Sequence, residues 1–103
     1  MKNINNSSRK GDFAEYYAVT WLWDQGYEVF QNSGCTGPVD MIAIDKKGNT
    51  LLIDVKTSQA DTRYNKPMNF RGNKAYRTKL QLKLGVQILL FHTETRELKF
   101  VNH

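Results

Sequence analysis

Asp40, Asp54 and Lys56 are the residues whose types and spacing can do chemistry. They stand at the margins of two apolar runs, Met41-Ile42-Ala43-Ile44 and Leu51-Leu52-Ile53, where an unpaired buried charge is costly. Lys46-Lys47-Gly48-Asn49 between the runs has turn composition, so the segment predicts a hairpin with strands over about 39–45 and 51–57. In a hairpin the entry of one strand faces the end of its partner, which sets Asp40 across from Asp54 to Lys56. Period-two geometry sends Asp54 and Lys56 to one face, and Ile53 and Val55 to the other. Two close carboxylates repel unless a proton or a cation lies between them. An oxygen-only donor set with no nearby His or Cys favours a hard divalent ion, magnesium first. A lysine beside such an ion can orient or deprotonate an attacking water, while the ion offsets charge on a phosphate oxygen. Taken singly, each residue also reads as an ordinary turn aspartate or a solvated strand-edge pair.

The elements around this hairpin must position it. Residues from about Arg9 to Gln25 follow a helical period: Phe13, Tyr17 and Trp21 form one row, and Ala14, Ala18 and Leu22 its neighbour. Trp21 is expected in the core as the continuation of the first row. Glu15 falls on the border of the apolar face, where it can reach the acidic cluster directly or through water. Gly26 stops the helix, Tyr27 to Phe30 alternates as a first strand, and Asn32 to Pro38 is loop. Residues 1–8 read as a flexible tail, with Ser7 or Ser8 as a possible N-cap, and residues 9–103 as a single domain. Ser58 to Gly72 has no convincing period, and a loop of that length is usually functional or mobile. A second helix is expected over Asn73 to Leu84, ending at Gly85. Val86 to Phe91 follows as a strand buried on both faces, and Glu97 to Val101 as an edge strand. The order α-β-β-β-α-β-β predicts an α/β fold, a mixed central sheet with a helix on each side.

Charge is distributed unevenly. Residues 1–55 carry five Lys/Arg against seven Asp/Glu, whereas residues 56–103 carry ten against three, which gives the net charge of +5. Arg63, Lys66, Arg71, Lys74, Arg77, Lys79 and Lys83 share their stretch with Tyr64, Phe70 and Tyr76 and with no acid. Basic side chains interleaved with aromatics suit a surface that neutralises phosphates; a solvated face over core aromatics is the plainer account. Arg9 and Lys10 are unfavourable at a helix start on dipole grounds, so an outside anion explains them better than the helix does. No apolar run approaches the roughly 20 residues that span a bilayer, and the polar opening MKNINNSSRKGD has no signal-peptide core. With a single cysteine, Cys35, these features lead to the expectation of an intracellular chain with no membrane association. One Cys and two His far apart make a structural zinc site improbable.

The series Gly11-Asp-Phe-Ala-Glu15, Pro38-Val-Asp40 and Ile53-Asp54-Val55-Lys56 resembles the PD-(D/E)XK nuclease superfamily. Its size and its Arg9-Lys10-Gly11 start ahead of Glu15 look most like the archaeal-type Holliday junction resolvase branch. The resemblance spans residues 9 to 92 and implies a restriction-endonuclease-like αβββαβ core with an extra C-terminal strand. It implies that Asp40 and Asp54 bind the metal with the backbone carbonyl of Val55, that Lys56 acts on the nucleophilic water, and that Glu15 binds or supports the metal. Asp54 departs from the Glu more common in that branch. Neither the 58–72 stretch nor the closing strand aligns with the resolvases, so other DNA structures are equally open as substrates.

The expected function is thus a magnesium-dependent endodeoxyribonuclease, with manganese able to substitute and no organic cofactor. Arg9, Lys10, Arg63, Lys66, Arg71, Lys74, Arg77 and Lys79 would hold duplex or branched DNA. A small protomer that cuts two strands suits a homodimer, with Trp23, Phe70 or Phe100 as interface candidates, though core packing is the commoner use of each. The alternatives are a DNA-binding or assembly module that keeps the fold without cutting, and an RNA substrate, weakly disfavoured by the absence of RNA-binding signatures. His92, Cys35 and His103 are given no functional role, and His92 at a strand end reads as structural.

Overall fold

The computed structural model describes residues 7–34, 37–58 and 77–101, with side chains from Asp12 onward in the first helix and not at Ser58. The elements in chain order are α1 (Ser7–Asp24), β1 (Glu28–Gln31), β2 (Met41–Ile44), β3 (Thr50–Ser58), α2 (Lys79–Leu84), β4 (Gln87–His92) and β5 (Leu98–Phe100). The strands form one sheet in the order β1-β2-β3-β4-β5. β3 and β4 run parallel and the other three pairings are antiparallel. This is the mixed α/β sheet that the sequence pattern predicts. The parallel step requires a crossover, and the basic segment and α2 lie within it.

The core is set by how closely α1 can approach the sheet. Ala14, Ala18 and Leu22 are fully buried, and Ala18, Val19 and Leu22 pack on Met41, Ala43, Ile53 and Leu89. The buried row is therefore the alanine row, because a methyl group lets the helix backbone sit close over the strands. The Phe13-Tyr17-Trp21 row, expected to lead into the core, flanks it instead. Phe13 stacks on Tyr17, both rings lean on Phe91, and Trp21 is half-buried against Phe100. β4 is buried on both faces as its apolar run requires, with Ile88, Leu89 and Leu90 fully buried and Phe91 nearly so.

Several boundaries differ from the sequence expectation. α1 begins at Ser7, so Ser7 and Ser8 belong to its first turn and do not precede it. α2 begins at Lys79, with Arg77 and Thr78 ahead of it, and residues 73–76 of the expected helix lie outside the described residues. Thr78 is its N-cap in a complete capping box, accepting from the Gln81 N–H while the Gln81 side chain accepts from the Thr78 N–H. Ser58 closes β3 and is not part of a loop. Asp45, expected at the end of a strand, organises the hairpin turn, accepting from the Lys47 and Asn49 N–H groups at 2.8 and 2.9 Å. Among the described residues no helix is long and apolar enough to cross a membrane.

His92 does have a structural part. It is fully buried, and its Nδ1 accepts from the N–H groups of Glu94 and Thr95, so it caps the β4–β5 turn. Arg96 in that turn has a positive φ of 66° and is held by stacking over the Phe13 and Tyr17 rings.

If the close Ala14-Ala18-Leu22 seam carries the fold, Leu22→Ala lowers stability by about 2–5 kcal/mol. Tyr16→Ala, at a side chain 69% exposed, stays within about 0.5 kcal/mol. Urea unfolding of the two variants checks the contrast.

Candidate active site

The β2–β3 ladder ends at Met41 opposite Ile53, and the next residue back along β2's chain is Asp40. Its main chain is still tied on both sides, the N–H to the Ile53 carbonyl and the carbonyl to the Asn32 N–H, each at 2.8 Å. The Val55 N–H would meet a main-chain carbonyl if the ladder continued. Instead it donates to Asp40 Oδ2 at 2.7 Å. Asn32 accounts for the vacated partner, since its Nδ2 donates to the Val39 carbonyl at 3.0 Å. One carboxylate thus closes a sheet ladder and is fixed against β3. In an extended strand the N–H and C=O of a residue point to the same side, so the Val55 carbonyl also faces this region beyond the end of β2.

Asp54 and Lys56 share the other face of β3 from Ile53 and Val55, as the period requires. Lys56 Nζ lies 3.1 Å from Asp54 Oδ2. Asp54 is nearly buried, with its side chain 12% exposed, while Lys56 is 34% exposed, so the ammonium faces a cleft while the carboxylate forms its floor. The cleft has a volume of about 510 Å³ and is lined by Gly37, Pro38, Asp54, Lys56, Thr78, Leu80 and Gln81.

Asp40 and Asp54 interact directly. The Asp40 carboxyl is pushed up to about 7, by burial first and then by a hydrogen bond with the Asp54 carboxyl, with the Val55 N–H opposing both. The charges of Asp54 and Glu15 add to the rise. Glu15, on the border of α1, is also held above its usual range, by burial first and then by the charges of Asp12 and Asp54. The fold therefore brings Glu15 into the field of the pair. It does not close a triad: among the described residues no three His, Cys, Asp or Glu side chains gather tightly enough to enclose a metal ion.

The donor set does fit a hard divalent cation at the pair itself. It offers two neighbouring carboxyl groups, one of them raised by burial and by its contact with the other, and an outward main-chain carbonyl at Val55. The ligands that would complete the sphere are then water and phosphate oxygens, which is how magnesium is usually held.

The expected basic residues fare differently. Lys79 is exposed on the first turn of α2. Arg77 is half-buried, with Nη1 donating to the Val86 carbonyl at 3.3 Å and a buried Nε that has no partner among the described residues, so part of its guanidinium braces the chain. Arg63, Lys66, Arg71 and Lys74 lie outside the described residues, as do Cys35, Phe70 and His103, and so do the side chains of Arg9 and Lys10. Of the interface candidates that are described, Trp23 is 59% exposed and Phe100 packs on the core.

Sequence reasoning missed Gln81. This side chain is buried, and its Nε2 donates to Asp54 Oδ2 at 2.8 Å and to the Pro38 carbonyl at 2.9 Å. The only sequence signal was Thr78-x-x-Gln81, a capping-box spacing, which says nothing of a partner 27 residues away.

A scan against protein-family models gives no match for this sequence, and neither does a search of curated proteins. Among solved structures, the bacterial homing endonuclease I-Ssp6803I is similar in fold, with a TM-score of 0.63 at 18% sequence identity. The match covers 93% of this chain and 64% of that one, so the chain spans less than two thirds of that endonuclease's length. The likeness is one of architecture, a mixed α/β sheet with helices.

The raised Asp40 has a thermodynamic consequence. A carboxyl that binds its proton more tightly folded than unfolded stabilises the fold at low pH, and that contribution is lost as pH rises through the folded value, here about 7. Asn at position 40 can still accept from the Val55 N–H but cannot ionise. Without divalent ions, Asp40→Asn should therefore be more stable than wild type at pH 8, and the difference should shrink toward pH 5. Thermal melts across that range in chelator test this, and a gap that widens on acidification contradicts it.

Proposed function

We propose that this protein is a magnesium-dependent endonuclease that hydrolyses DNA phosphodiester bonds, with manganese able to replace magnesium. The observation that carries the reading is the contact of Asp40 with Asp54 beside Lys56, on a fold shared with a solved homing endonuclease. The two carboxylates and the Val55 carbonyl would hold the ion. When bound, it would supply charge neutralisation at the phosphate and a more acidic water. Lys56, at the open side of Asp54, orients the attacking water and faces the phosphate. Glu15 adds negative field that favours capture of a cation. The acid-free basic segment that follows β3, together with Lys79 and Lys83 on α2, would neutralise the DNA backbone, which gives binding that is steep in salt and largely indifferent to sequence.

Branched DNA of the Holliday junction type is the substrate class that the resolvase resemblance implies, and cutting two strands there calls for two copies of the site. A homodimer supplies them. That resemblance is to the motif order Glu15, Asp40, Asp54-x-Lys56, and those same residues would cut a plain duplex or a flap.

Wild type should cut DNA with magnesium and stop in chelator, whereas Asp54→Asn and Lys56→Ala should each lose about 10²-fold or more in kcat while still binding. At limiting magnesium the rate should fall as pH drops below about 7, because protons and the cation compete for Asp40. A gel assay on four-way junction, flap, mismatch and plain duplex reads activity and preference together. Tight, salt-sensitive binding with no product under either metal would replace the enzyme with a DNA-binding module of the same fold.

A further inference from the structure

A primary amide has two N–H donors and a carbonyl acceptor, and at Gln81 all three are used by different parts of the chain. One N–H goes to Asp54 Oδ2 at 2.8 Å, the other to the Pro38 carbonyl at 2.9 Å, and Oε1 accepts from the Thr78 N–H at 3.0 Å. The side chain is 5% exposed, so losing any of these bonds leaves a polar group without water to replace it. The three partners also fix the amide's orientation, since reversing it would set its oxygen against two acceptors. No other residue of α2 is buried. The helix therefore meets the sheet through this amide, at the carboxylate beside Lys56.

The consequence for Asp54 is specific. Its Oδ2 receives Gln81 Nε2 and Lys56 Nζ, and two donors on one oxygen fix the carboxylate's rotation. The Pro38 carbonyl lies two residues before Asp40, so the same amide also pins the loop that delivers the second carboxylate. We infer that Gln81 is a positioning residue: it fixes the rotation of Asp54 and the approach of Asp40, and thereby sets the geometry in which the pair takes up a divalent ion. This rests on the reading of Asp40 and Asp54 as cation ligands.

The test compares Gln81→Met with Gln81 intact in Gly85→Ala. Met keeps the length and loses every polar contact. Gly85 is the α2 C-cap at φ +77°, with open space around an added Cβ, so Ala there strains the helix end without touching the carboxylates. Thermal melts establish that both variants fold and lose stability. Calorimetric titration of manganese into metal-free protein should then show affinity falling about 10- to 100-fold in Gln81→Met and staying within about threefold in Gly85→Ala. On DNA, Gln81→Met should lose kcat and need correspondingly more magnesium, with KM for DNA within about threefold. Equal manganese affinity in the two variants overturns the inference, as does a change confined to KM. If wild type binds manganese, Gln81→Met weakens it and no DNA is cut, the inference stands and the nuclease reading falls. If wild type takes up no divalent ion, both fall.

Discussion

The structure depends on a substitution at the end of one sheet ladder, where a side-chain carboxylate takes the place of a main-chain carbonyl. A strand that ends in the middle of a sheet leaves its neighbour's N–H groups unsatisfied, and a buried one is costly. Asp40 closes the Val55 N–H and so allows β2 to stop while β3 runs on to Ser58. The extra length of β3 carries Asp54 and Lys56, and it is the length over which β4 pairs in parallel with β3. Because the carboxylate must lie within hydrogen-bond reach of β3 to do this, it is held against Asp54 whether or not a cation is present. Ladder termination and the placing of Asp40 beside Asp54 therefore use one residue, and neither can be changed without the other.

Holding two carboxyl groups together is unfavourable when both are charged, and the surrounding fold is arranged to withstand it. Three groups act on the pair. The Val55 N–H favours the charged form of Asp40, Lys56 lies on Asp54, and Gln81 gives Asp54 a buried donor. The rigid seam of Ala14, Ala18 and Leu22 then fixes where α1 lies over β3, and with it the distance from which Glu15 acts. Small residues on α1 are thus a condition for the site as well as for the core: bulkier ones would lift the helix and weaken Glu15's field on the pair.

The parts legible in the sequence are those that depend on short-range periodicity. The hairpin register, the shared face of Asp54 and Lys56, and the two-sided burial of β4 all follow from a side-chain period of two, and the structure has each of them. The parts that were not legible depend on packing between distant segments. The choice between two adjacent helical rows was decided by how near a backbone can come to a sheet, which favours alanine over aromatic bulk and which a hydrophobicity pattern cannot register. The start of α2 at Lys79 depends on the reciprocal bonding of Thr78 and Gln81, which helix propensity does not register. The bracing of the Val86 carbonyl by the Arg77 guanidinium is likewise a contact that no pattern encodes.

Gln81 shows why a site is harder to read than a fold. In Lys79-Leu-Gln-Leu-Lys-Leu84 the buried residue is the glutamine, at 5% exposure, while the leucines at 80, 82 and 84 are 45% or more exposed. Burial at this position is set by what lies opposite, and what lies opposite is the Asp54 carboxylate and the Pro38 carbonyl. A leucine there would take a buried donor from both. The polar residue is thus the one this position can accept, and its burial on α2 follows from the carboxylate and the carbonyl that face it.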